Sequence, residues 1–330
     1  MRKCRPVYAE DPCLDGFVTF LLAKEPSPET GVLHIVVAAS IRDIGRRRRG
    51  SQLFASIIIP THNAVHRLLY TLASLNLQYA PFEEFEVIVV DNGSTDGLKE
   101  RIRHFESNYP LRYYRTVTPV SATQVLNAGI AKAKGHVVIL LNENMIVPRH
   151  FVGCHMQAHG RKERLVVVSG ITKRMYSVYY PSFSERQQKE CQSWLEQYPQ
   201  IKRPHTSSEI VPLLTDHLIA SGILPVIGLE RTLDAKREAI LNRYGHQLEH
   251  YPYLWSLFRT EHASLERKAF AQVGMFRKGR LTLRQIERDM GRRLLYAGYH
   301  YEVADKIILM QQEAPGVQES KKQGSGIIRS

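Results

Sequence analysis

The chain has 330 residues, of which 43% are hydrophobic and 23% are charged, and its formal net charge is +13. This composition is that of a globular protein with one large domain or two modest ones, and no apolar run reaches the roughly 18 residues of a membrane-spanning helix. The positive charge favours anionic partners such as phosphorylated ligands or an acidic membrane surface, whereas no aromatic interleaving or fold signature supports nucleic-acid binding.

The first half of the chain alternates between strands and helices. Residues 1–50 show no clear period and are interpreted as an extension of uncertain order, and residues 51–174 contain the regular part. Asp96 is expected to cap one helix, and Ser121 to open another that Gly135 closes. The predicted strands are apolar throughout, which indicates an α/β fold with a mainly parallel sheet covered on both faces. These strands read FASIII, FEVIVV, LRYYR, HVVILL and RLVVVSG.

The pattern changes after the fifth strand. Residues 175–258 contain two helical stretches, SERQQKECQSWLEQY and DAKREAILNRYGHQLEHY, and are predicted to form a helical insertion. Residues 259–315 return to strands and helices, with a capping box from Thr282 to Gln285. Residues 316–330 are polar and are predicted to be a flexible tail.

Polar loops follow three of the buried strands. In a parallel sheet such loops gather at one edge, outside the carboxyl ends of the strands, where one ligand can contact all of them. Taken singly, each loop is also compatible with ordinary turn chemistry, so the signal is their common order and spacing. The loops are Pro60 to Asn63, Asp91 to Asp96 and Asn142 to Asn144.

Several stretches carry a resemblance to the family 2 glycosyltransferases, which have the GT-A fold. Residues 54–170 resemble the family's nucleotide-binding half nearly continuously, and a second patch within 260–300 resembles its acceptor side. The resemblance implies a Rossmann-like, mostly parallel mixed sheet with helices on both faces. The stretches are ASIIIPTHN, LLYTLASLNLQ, FEVIVVDNGSTDG and LNAGIAKAKGHVVILLNEN, followed by ASLERKAFAQVGMF and ERDMGRRLLYAGY.

The resemblance implies a nucleotide site on the first two loops. His62 would cover the base, and Asp91 would accept charge-assisted hydrogen bonds from the base or ribose; a plain loop histidine and a structural turn residue are the alternatives. Lys132 and Lys134 could offset diphosphate charge or form a solvated helix face. The residues assigned to the site are Pro60, Thr61, His62, Asn63, Asp91, Asn92, Gly93 and Asn127.

The family's Asp-x-Asp metal motif is altered here to Asn142, Glu143 and Asn144. An asparagine carbonyl can ligate a hard cation but brings no charge, and neighbours in an extended segment face opposite ways. Gln311 and Gln312 stand where the family keeps a late metal-binding histidine. We therefore expect binding of Mn²⁺ or Mg²⁺ to be weakened or absent, with basic side chains as substitutes.

An acidic helix provides candidates for the general base that deprotonates an acceptor hydroxyl. Matching the family pattern to Asp289-Met290-Gly291 places Glu287 at the base position. Residues two apart on a helix diverge by about 200°, so Glu287 and Asp289 cannot serve one site together. Glu287 is the preferred candidate, Asp289 is the alternative, and a salt-bridged surface helix is the third interpretation.

The resemblance implies a glycosyltransferase that moves a sugar from a nucleotide-diphosphate donor, UDP-linked, to an acceptor hydroxyl with inversion. The acceptor would be a glycan, a lipid-linked molecule or a protein, in the synthesis of cell-surface glycans. No Gln-x-x-Arg-Trp motif of processive synthases is present, so we expect transfer of single sugars. The alternative is a degenerate GT-A domain that binds a nucleotide sugar or a protein partner without catalysis.

The N-terminal sequence MRKCRPVYAEDPC has no apolar run after its basic residues, so we expect no secretory signal and a cytoplasmic protein. The run from Arg46 to Arg49 could contact anionic lipid at the inner membrane face or form a solvated linker. Trp194 and Trp255 mark the insertion, where aromatic side chains either pack internally or offer a platform to a sugar or lipid acceptor.

Overall fold

The computed structural model describes residues 53–204, 208–229, 234–279 and 281–316, and the backbone alone of 7–10, 19–26, 33–38 and 234–238. Within the predicted extension, three strands form an antiparallel sheet: β1 Val7–Glu10, β2 Thr19–Pro26 and β3 Leu33–Ala38. The Arg46 to Arg49 run and the predicted tail after residue 316 lie outside the described residues.

The remaining strands form a large sheet and a small pair. The large sheet contains β4 Ala55–Thr61, β5 Phe85–Asp91, β6 Leu111–Arg115, β7 Val137–Leu141, β8 Met145–Ile146, β9 Leu165–Met175, β12 His262–Glu266 and β13 His300–Gln312. The small pair is β10 Val178–Tyr179 with β11 Val211–Pro212. The order in the large sheet is β6-β5-β4-β7-β12-β9-β13-β8.

The helices cover both faces of the large sheet. They are α1 Val65–Leu75, α2 Leu98–Arg103, α3 Ala122–Lys132, α4 Phe151–Arg161, α5 Glu185–Gln197, α6 Asp216–Ala220, α7 Leu224–Ile227, α8 Asp234–Tyr244, α9 Arg267–Val273 and α10 Leu283–Tyr296. Short 3₁₀ turns span Phe82–Glu84 and Leu254–Leu257. None of the described helices combines the length and apolarity needed to cross a membrane.

The sheet confirms the predicted α/β fold class. β4, β5, β6 and β7 pair in parallel, while β12 runs antiparallel to both β7 and β9. Successive side chains of a strand face opposite ways, so Ile58 packs in one core and its neighbours Ile57 and Ile59 in the other. A strand buried on both faces is apolar along nearly its whole length, so these strands could be predicted from their apolar runs.

One helix boundary agrees with the prediction in part and one differs from it. The residue before α2 is Gly97, at φ 80°, but the Asp96 carboxylate accepts from the Leu98 N–H at the first residue of α2 (3.3 Å) as well as from the Val65 N–H at the start of α1 (2.8 Å). The helix α3 ends at Ala133 rather than at Gly135. A Cβ at Gly135 would lie 2.5 Å from the backbone nitrogen of Ser56, so this glycine permits a close approach of two backbones.

Within residues 175–258, α5 to α7 fold around aromatic side chains, whereas Ile240 and Leu241 of α8 pack against the core that contains Ile58. Trp194 is 1% exposed, and its Nε1 donates to the carbonyl of Ile227 at 2.7 Å. Tyr176 and Phe183 pack edge to face in the same cluster, which also contacts Tyr70 of α1. The predicted internal packing of Trp194 is therefore what the structure contains.

A buried histidine cluster lies between α4 and β12. The Nε2 atoms of His155 and His262 are 2.8 Å apart, and the hydroxyl of Ser264 lies 2.8 Å from both His155 Nδ1 and His159 Nε2. Burial lowers the pKa of His159 to about 4 and the pKa of His155 well below its usual value. Neutral imidazoles therefore hold α4 to the strand at the centre of the sheet.

Candidate active-site cleft

A cleft of about 500 Å³ opens at the carboxyl ends of β4, β5 and β7. The predicted polar loops supply one side of it, and the N-terminal halves of α3 and α10 supply much of the rest. Parallel strands bring their carboxyl ends to one edge, so the expected meeting of the loops is realised. The lining residues are Pro60, Thr61, His62, Asn92, Ala122, Val125, Leu126, Asn142, Glu143, Arg259, Thr260, Glu261, Leu283, Arg284 and Glu287.

The first loop presents Pro60, Thr61 and His62 to the cleft. His62 Nδ1 lies 2.9 Å from the carbonyl oxygen of Asn92, which orients the ring between the two loops. Asn63 does not line the cleft. Its backbone is left-handed at φ 50°, and its N–H donates to Ser94 Oγ at 2.9 Å. Its predicted place in the nucleotide site is thus corrected to a link between loops.

The second loop presents Asn92 but not Asp91. The Asn92 amide both donates to the Val120 carbonyl (3.0 Å) and accepts from the Val120 N–H (2.8 Å), which fixes the loop against the start of α3. The Asp91 carboxylate is fully buried and accepts hydrogen bonds from the Ser94 N–H (2.8 Å) and the Tyr113 hydroxyl (2.5 Å). Asp91 is therefore a turn residue in this structure, the alternative allowed by the sequence.

Gly93 shapes the second loop without lining the cleft. Its φ is 75°, and a Cβ there would lie 3.3 Å from Pro119. Left-handed backbone favours glycine, so Gly93 allows the tight turn that carries Asn92 to the cleft edge.

The third loop presents Asn142 and Glu143. The Asn142 side-chain oxygen accepts from the Glu143 N–H at 2.9 Å, and the Glu143 carbonyl accepts from Thr71 Oγ1 at 2.7 Å. Burial raises the pKa of the Glu143 carboxyl, with the positive charge of Arg67 opposing the shift. Asn144 does not line the cleft; residues 143 and 144 form a turn rather than an extended segment, and Asn144 Nδ2 lies 3.4 Å from the Gln312 carbonyl.

These donors fit a divalent cation poorly. Mn²⁺ and Mg²⁺ prefer carboxylate oxygens, and the third loop offers one carboxylate, whose burial favours its neutral form. Gln312 is one of the two glutamines in the place of the family's histidine. Its side chain accepts from Ser177 Oγ (2.6 Å) and donates to the Arg67 carbonyl (2.9 Å), so both of its polar atoms are already hydrogen-bonded within the protein. Within the described residues, no group of three or more His, Cys, Asp or Glu side chains is arranged to hold a metal.

Glu287 lies on the opposite side of the cleft. Its carboxylate is 4% exposed and accepts from the N–H (2.9 Å) and hydroxyl (3.0 Å) of Thr260 and from Arg259 Nη1 (2.8 Å). A carboxylate has about four acceptor positions, so these contacts leave one for a substrate hydroxyl. Arg259 and Thr260 hold the group still, which favours proton transfer along one direction.

Asp289, the alternative acid, does not reach the cleft. It accepts from Arg293 Nη2 at 2.8 Å and pairs with Arg277 Nη1 at 3.1 Å on another face of α10. The 200° between residues two apart on a helix separates it from Glu287. The catalytic assignment of Asp289 is corrected to that of a helix ion pair.

Asn127 also lies outside the cleft. Its amide donates to the Phe276 carbonyl (2.8 Å) and accepts from the Phe276 N–H (3.0 Å), so it clamps the chain after α9 to α3. Lys132 is at the far end of α3, with its ammonium 5.5 Å from the Tyr114 ring centroid. The predicted nucleotide-binding role of Asn127 is thereby corrected, since both polar atoms of its side chain are already paired.

Most of the charged side of the cleft is not marked by any motif in the sequence. Arg259 and Glu261 flank Thr260 just before β12, and Arg284 is the second residue of α10. The ion pairs between described residues in this part of the chain join Arg259 to Glu287 and Arg277 and Arg293 to Asp289, and Arg284 is in none of them. The capping box at Thr282 was a usable signal, because it fixes which residues stand at the helix start.

The sequence model of Glycosyl transferase family 2 matches residues 56–221. YfnE, an uncharacterized glycosyltransferase of Bacillus subtilis (strain 168), is 32% identical over 267 residues, which cover 79% of this chain and 65% of that protein. Chondroitin synthase of Escherichia coli is 23% identical over 272 residues, 82% of this chain and 36% of that protein. The chain thus spans under two thirds of the length of each of these relatives.

Two solved structures share the fold. S. aureus TarS 1-349 in complex with UDP-GlcNAc superposes with a TM-score of 0.51 at 13% identity, over 79% of this chain and 60% of that one. Mannosyltransferase PcManGT from Pyrobaculum calidifontis, in complex with GDP-Man and Mn²⁺, gives a TM-score of 0.52 at 13% identity, over 81% and 59%. At such identity the likeness establishes the GT-A fold of this chain and no more.

Proposed function

The chain belongs to glycosyl transferase family 2, and from this premise we propose that it transfers a sugar from a nucleotide-diphosphate donor to an acceptor hydroxyl. The observation that carries the proposal is Glu287, a buried and firmly held carboxylate that faces the loops at the strand ends across one cleft. A single site thereby combines a nucleotide-sized space with a candidate base.

The donor is proposed to be a uridine diphosphate sugar. The nucleoside would lie against the first two loops, with the His62 ring beside the base and Asn92 at the cleft edge. TarS binds UDP-GlcNAc and PcManGT binds GDP-Man, which supports a nucleotide sugar as the donor class. The apolar floor of Val125 and Leu126 suits the flat face of a base or sugar.

In the proposed reaction Glu287 accepts the proton of the acceptor hydroxyl. The acceptor oxygen forms a bond to the anomeric carbon as the bond to the diphosphate oxygen breaks, and the diphosphate leaves with that electron pair. In-line attack inverts the anomeric centre through a transition state of oxocarbenium character. A positioned general base contributes about 10²–10⁴-fold to such a step.

The departing diphosphate is proposed to be stabilised by guanidinium groups. Arg284 and Arg259 both line the cleft, and preorganised positive charge stabilises a leaving group in a water-poor site. Arg259 also pairs with Glu287, so Arg284 is the cation with the greater freedom to meet phosphate. If Mn²⁺ or Mg²⁺ does bind, Glu143 and Asn142 would hold it, and it would supply the same charge neutralisation.

The product is proposed to be a glycan extended by single sugars, made at the cytoplasmic side for the cell surface. The absence of a Gln-x-x-Arg-Trp motif from the sequence supports single transfers, and the net charge of +13 supports peripheral contact with anionic lipid. The acceptor is proposed to be a glycan, free or linked to a lipid or protein.

The test is release of UDP from a panel of UDP-sugars, followed with the full chain and a mixture of oligosaccharide acceptors. We expect release with one or a few of the donors, and faster release with acceptor present. A protein that binds UDP but releases none from any donor would contradict transfer. That result would support a degenerate binding module, for which the amides at Asn142 and Asn144 are the supporting observation.

A further inference from the structure

A second depression, of about 520 Å³, lies between α8 and the 3₁₀ turn Leu254–Leu257. We call it the aromatic groove, because four of its lining side chains are aromatic. Its principal lining residues are Ile240, Arg243, Tyr244, Tyr251, Tyr253 and Trp255. The glycosyl transfer proposed above assigns it no role.

The aromatic rings form a continuous row. Centroid distances are 5.2 Å from Tyr244 to Tyr251, 6.1 Å from Tyr251 to Tyr253 and 6.4 Å from Tyr253 to Trp255, each pair nearly edge to face. Tyr253 is 57% exposed, so its ring face is accessible to a ligand. Rings with phenol hydroxyls offer flat apolar faces beside hydrogen-bonding groups, a combination that matches the C–H faces and hydroxyls of a sugar.

Positive charge accompanies the row. The guanidinium carbon of Arg292 lies 4.2 Å from the Trp255 ring centroid, and that of Arg243 lies 5.3 Å from the Tyr244 ring centroid. None of the described lining residues of the groove is acidic. The groove therefore complements a ligand that carries negative charge as well as sugar rings.

The groove adjoins the candidate active site through one helix. Arg284 and Glu287 of α10 line the cleft, while Gly291 and Arg292 of the same helix contact Trp255. A Cβ at Gly291 would lie 2.3 Å from the Trp255 carbonyl oxygen, so this close contact depends on glycine. From Glu287 to Arg292 the helix rises by about 7.5 Å and turns by about 140°, whereas Gly291 lies within about 40° of Glu287 on the same side of α10.

We propose that the aromatic groove binds the acceptor, a carbohydrate chain that carries carboxylate or phosphate groups, with its reacting hydroxyl at Glu287. This inference rests on the proposed glycosyl transfer and adds the chemical class of the acceptor. Sugar rings stack on Tyr253 and Trp255, and the acidic groups pair with Arg243 and Arg292.

The test is a titration of the full chain with three oligosaccharides of equal length: one rich in uronic acid, one phosphorylated and one neutral. The chain has two tryptophans. Trp194 is buried in the cluster with Tyr176 and Phe183, so a ligand-dependent change in fluorescence reports on Trp255. We expect an acidic oligosaccharide to bind and to change this signal. Which of the two acidic chains binds distinguishes carboxylate from phosphate.

Three variants give the test its specificity. Tyr253→Ala and Trp255→Ala are expected to weaken oligosaccharide binding about tenfold, the effect of losing about 1.4 kcal/mol of aromatic contact, and to leave UDP binding unchanged. Isothermal titration measures all the variants, because Trp255→Ala removes the fluorescent reporter. The matched control is Tyr296→Ala, which removes an aromatic ring that is 84% exposed on α10 and outside the groove. Retained UDP binding shows that the variants are folded.

Four results would overturn the proposal. The first is a chain that binds UDP but none of the three oligosaccharides, and the second is equal oligosaccharide affinity in the groove variants and the wild type. The third is a neutral oligosaccharide that binds as tightly as the acidic ones. The fourth is a chain that binds only phosphatidylglycerol vesicles, with that binding weakened in the groove variants. Failure to bind UDP at all would instead remove the glycosyl-transfer proposal on which this one rests.

Discussion

The two sides of the cleft differ in how they carry charge. The loop wall consists of Pro60, Thr61, His62, Asn92, Asn142 and Glu143, and the helix wall consists of Arg259, Thr260, Glu261, Leu283, Arg284 and Glu287. On the loop wall amides and carbonyls bind one another, and burial raises the pKa of its one carboxyl. Two guanidinium groups and two carboxylates lie on the helix wall. Paired amides and carbonyls thus dominate one wall, and ionisable side chains dominate the other.

The largest effect that this comparison predicts is at Glu287. Glu287→Gln keeps the shape of the side chain and an oxygen that can accept from Thr260 Oγ1. Its amide cannot act as a base for the acceptor hydroxyl, so turnover should fall about 10²–10⁴-fold. Titration with UDP should give an unchanged affinity. The matched control is Asp289→Asn on the same helix, which should keep most of the turnover. Equal losses of turnover in the two variants would contradict the assignment of Glu287 as the base and of Asp289 as an ion-pair residue.

A second prediction concerns the strand that joins the walls. β12 follows Glu261 of the helix wall and pairs with β7, the strand that Asn142 of the loop wall follows. The histidine cluster holds β12 to α4. In the unfolded chain His159 titrates near its usual value of 6.5, while in the folded chain its pKa is about 4. Between these values the unfolded state binds more protons, so the free energy of unfolding falls as pH drops from about 6.5 to about 4.

The size of that loss should be about 3 kcal/mol for His159 alone, measured by urea unfolding across this pH range. His159→Gln should flatten the pH dependence, and His104→Gln, at the exposed end of α2, should leave it unchanged. A profile equally steep in wild type and His159→Gln would mean that the cluster is not the source.

A smaller effect is expected at Arg284. Arg284→Ala should weaken UDP binding about tenfold, because one charge-assisted contact to phosphate is lost, and it should leave the affinity for uridine unchanged. Arg288→Ala removes an exposed arginine from the next turn of α10 and should change neither. Isothermal titration with both ligands checks this, and a loss of uridine affinity would move the nucleoside to the helix wall.

The smallest effect is predicted at Glu143. Burial raises the pKa of this carboxyl, which weakens it as a ligand for a hard cation, and Glu143→Gln removes its charge while keeping its size. UDP affinity in the presence of Mn²⁺ should therefore remain nearly the same. A large loss of UDP affinity on this substitution would identify Glu143 as a metal ligand and would show that the loop wall contributes a charged group to the site.

The loop wall was predictable because its residues are adjacent in sequence. Buried strands are continuous apolar runs, and each ends in a turn whose residues can be read directly, as with Asn92 and Gly93. Asp91 and Asn127 do not line the cleft, and pattern alone does not reveal that their side chains are already paired, with Tyr113 and with Phe276.

The helix wall was less predictable because its residues meet only in the folded chain. Arg259 stands where residues 175–258 return to the sheet, and no motif marks it. Glu287 was identified through the resemblance to the family pattern, and helix geometry separated it from Asp289. The core around Trp194 likewise depends on contacts across the insertion and with α1, which periodicity within one segment cannot predict.

The most direct test of the charge division is thermal unfolding with UDP, with Mn²⁺ added and, separately, with a chelator. UDP at 100 times its dissociation constant should stabilise the chain by about 2.7 kcal/mol. We predict the same shift in the presence of chelator, with the shift reduced in Arg284→Ala, because the helix wall supplies the positive charge. A shift that appears only with Mn²⁺ would contradict this account and assign the diphosphate to a metal held by Asn142 and Glu143.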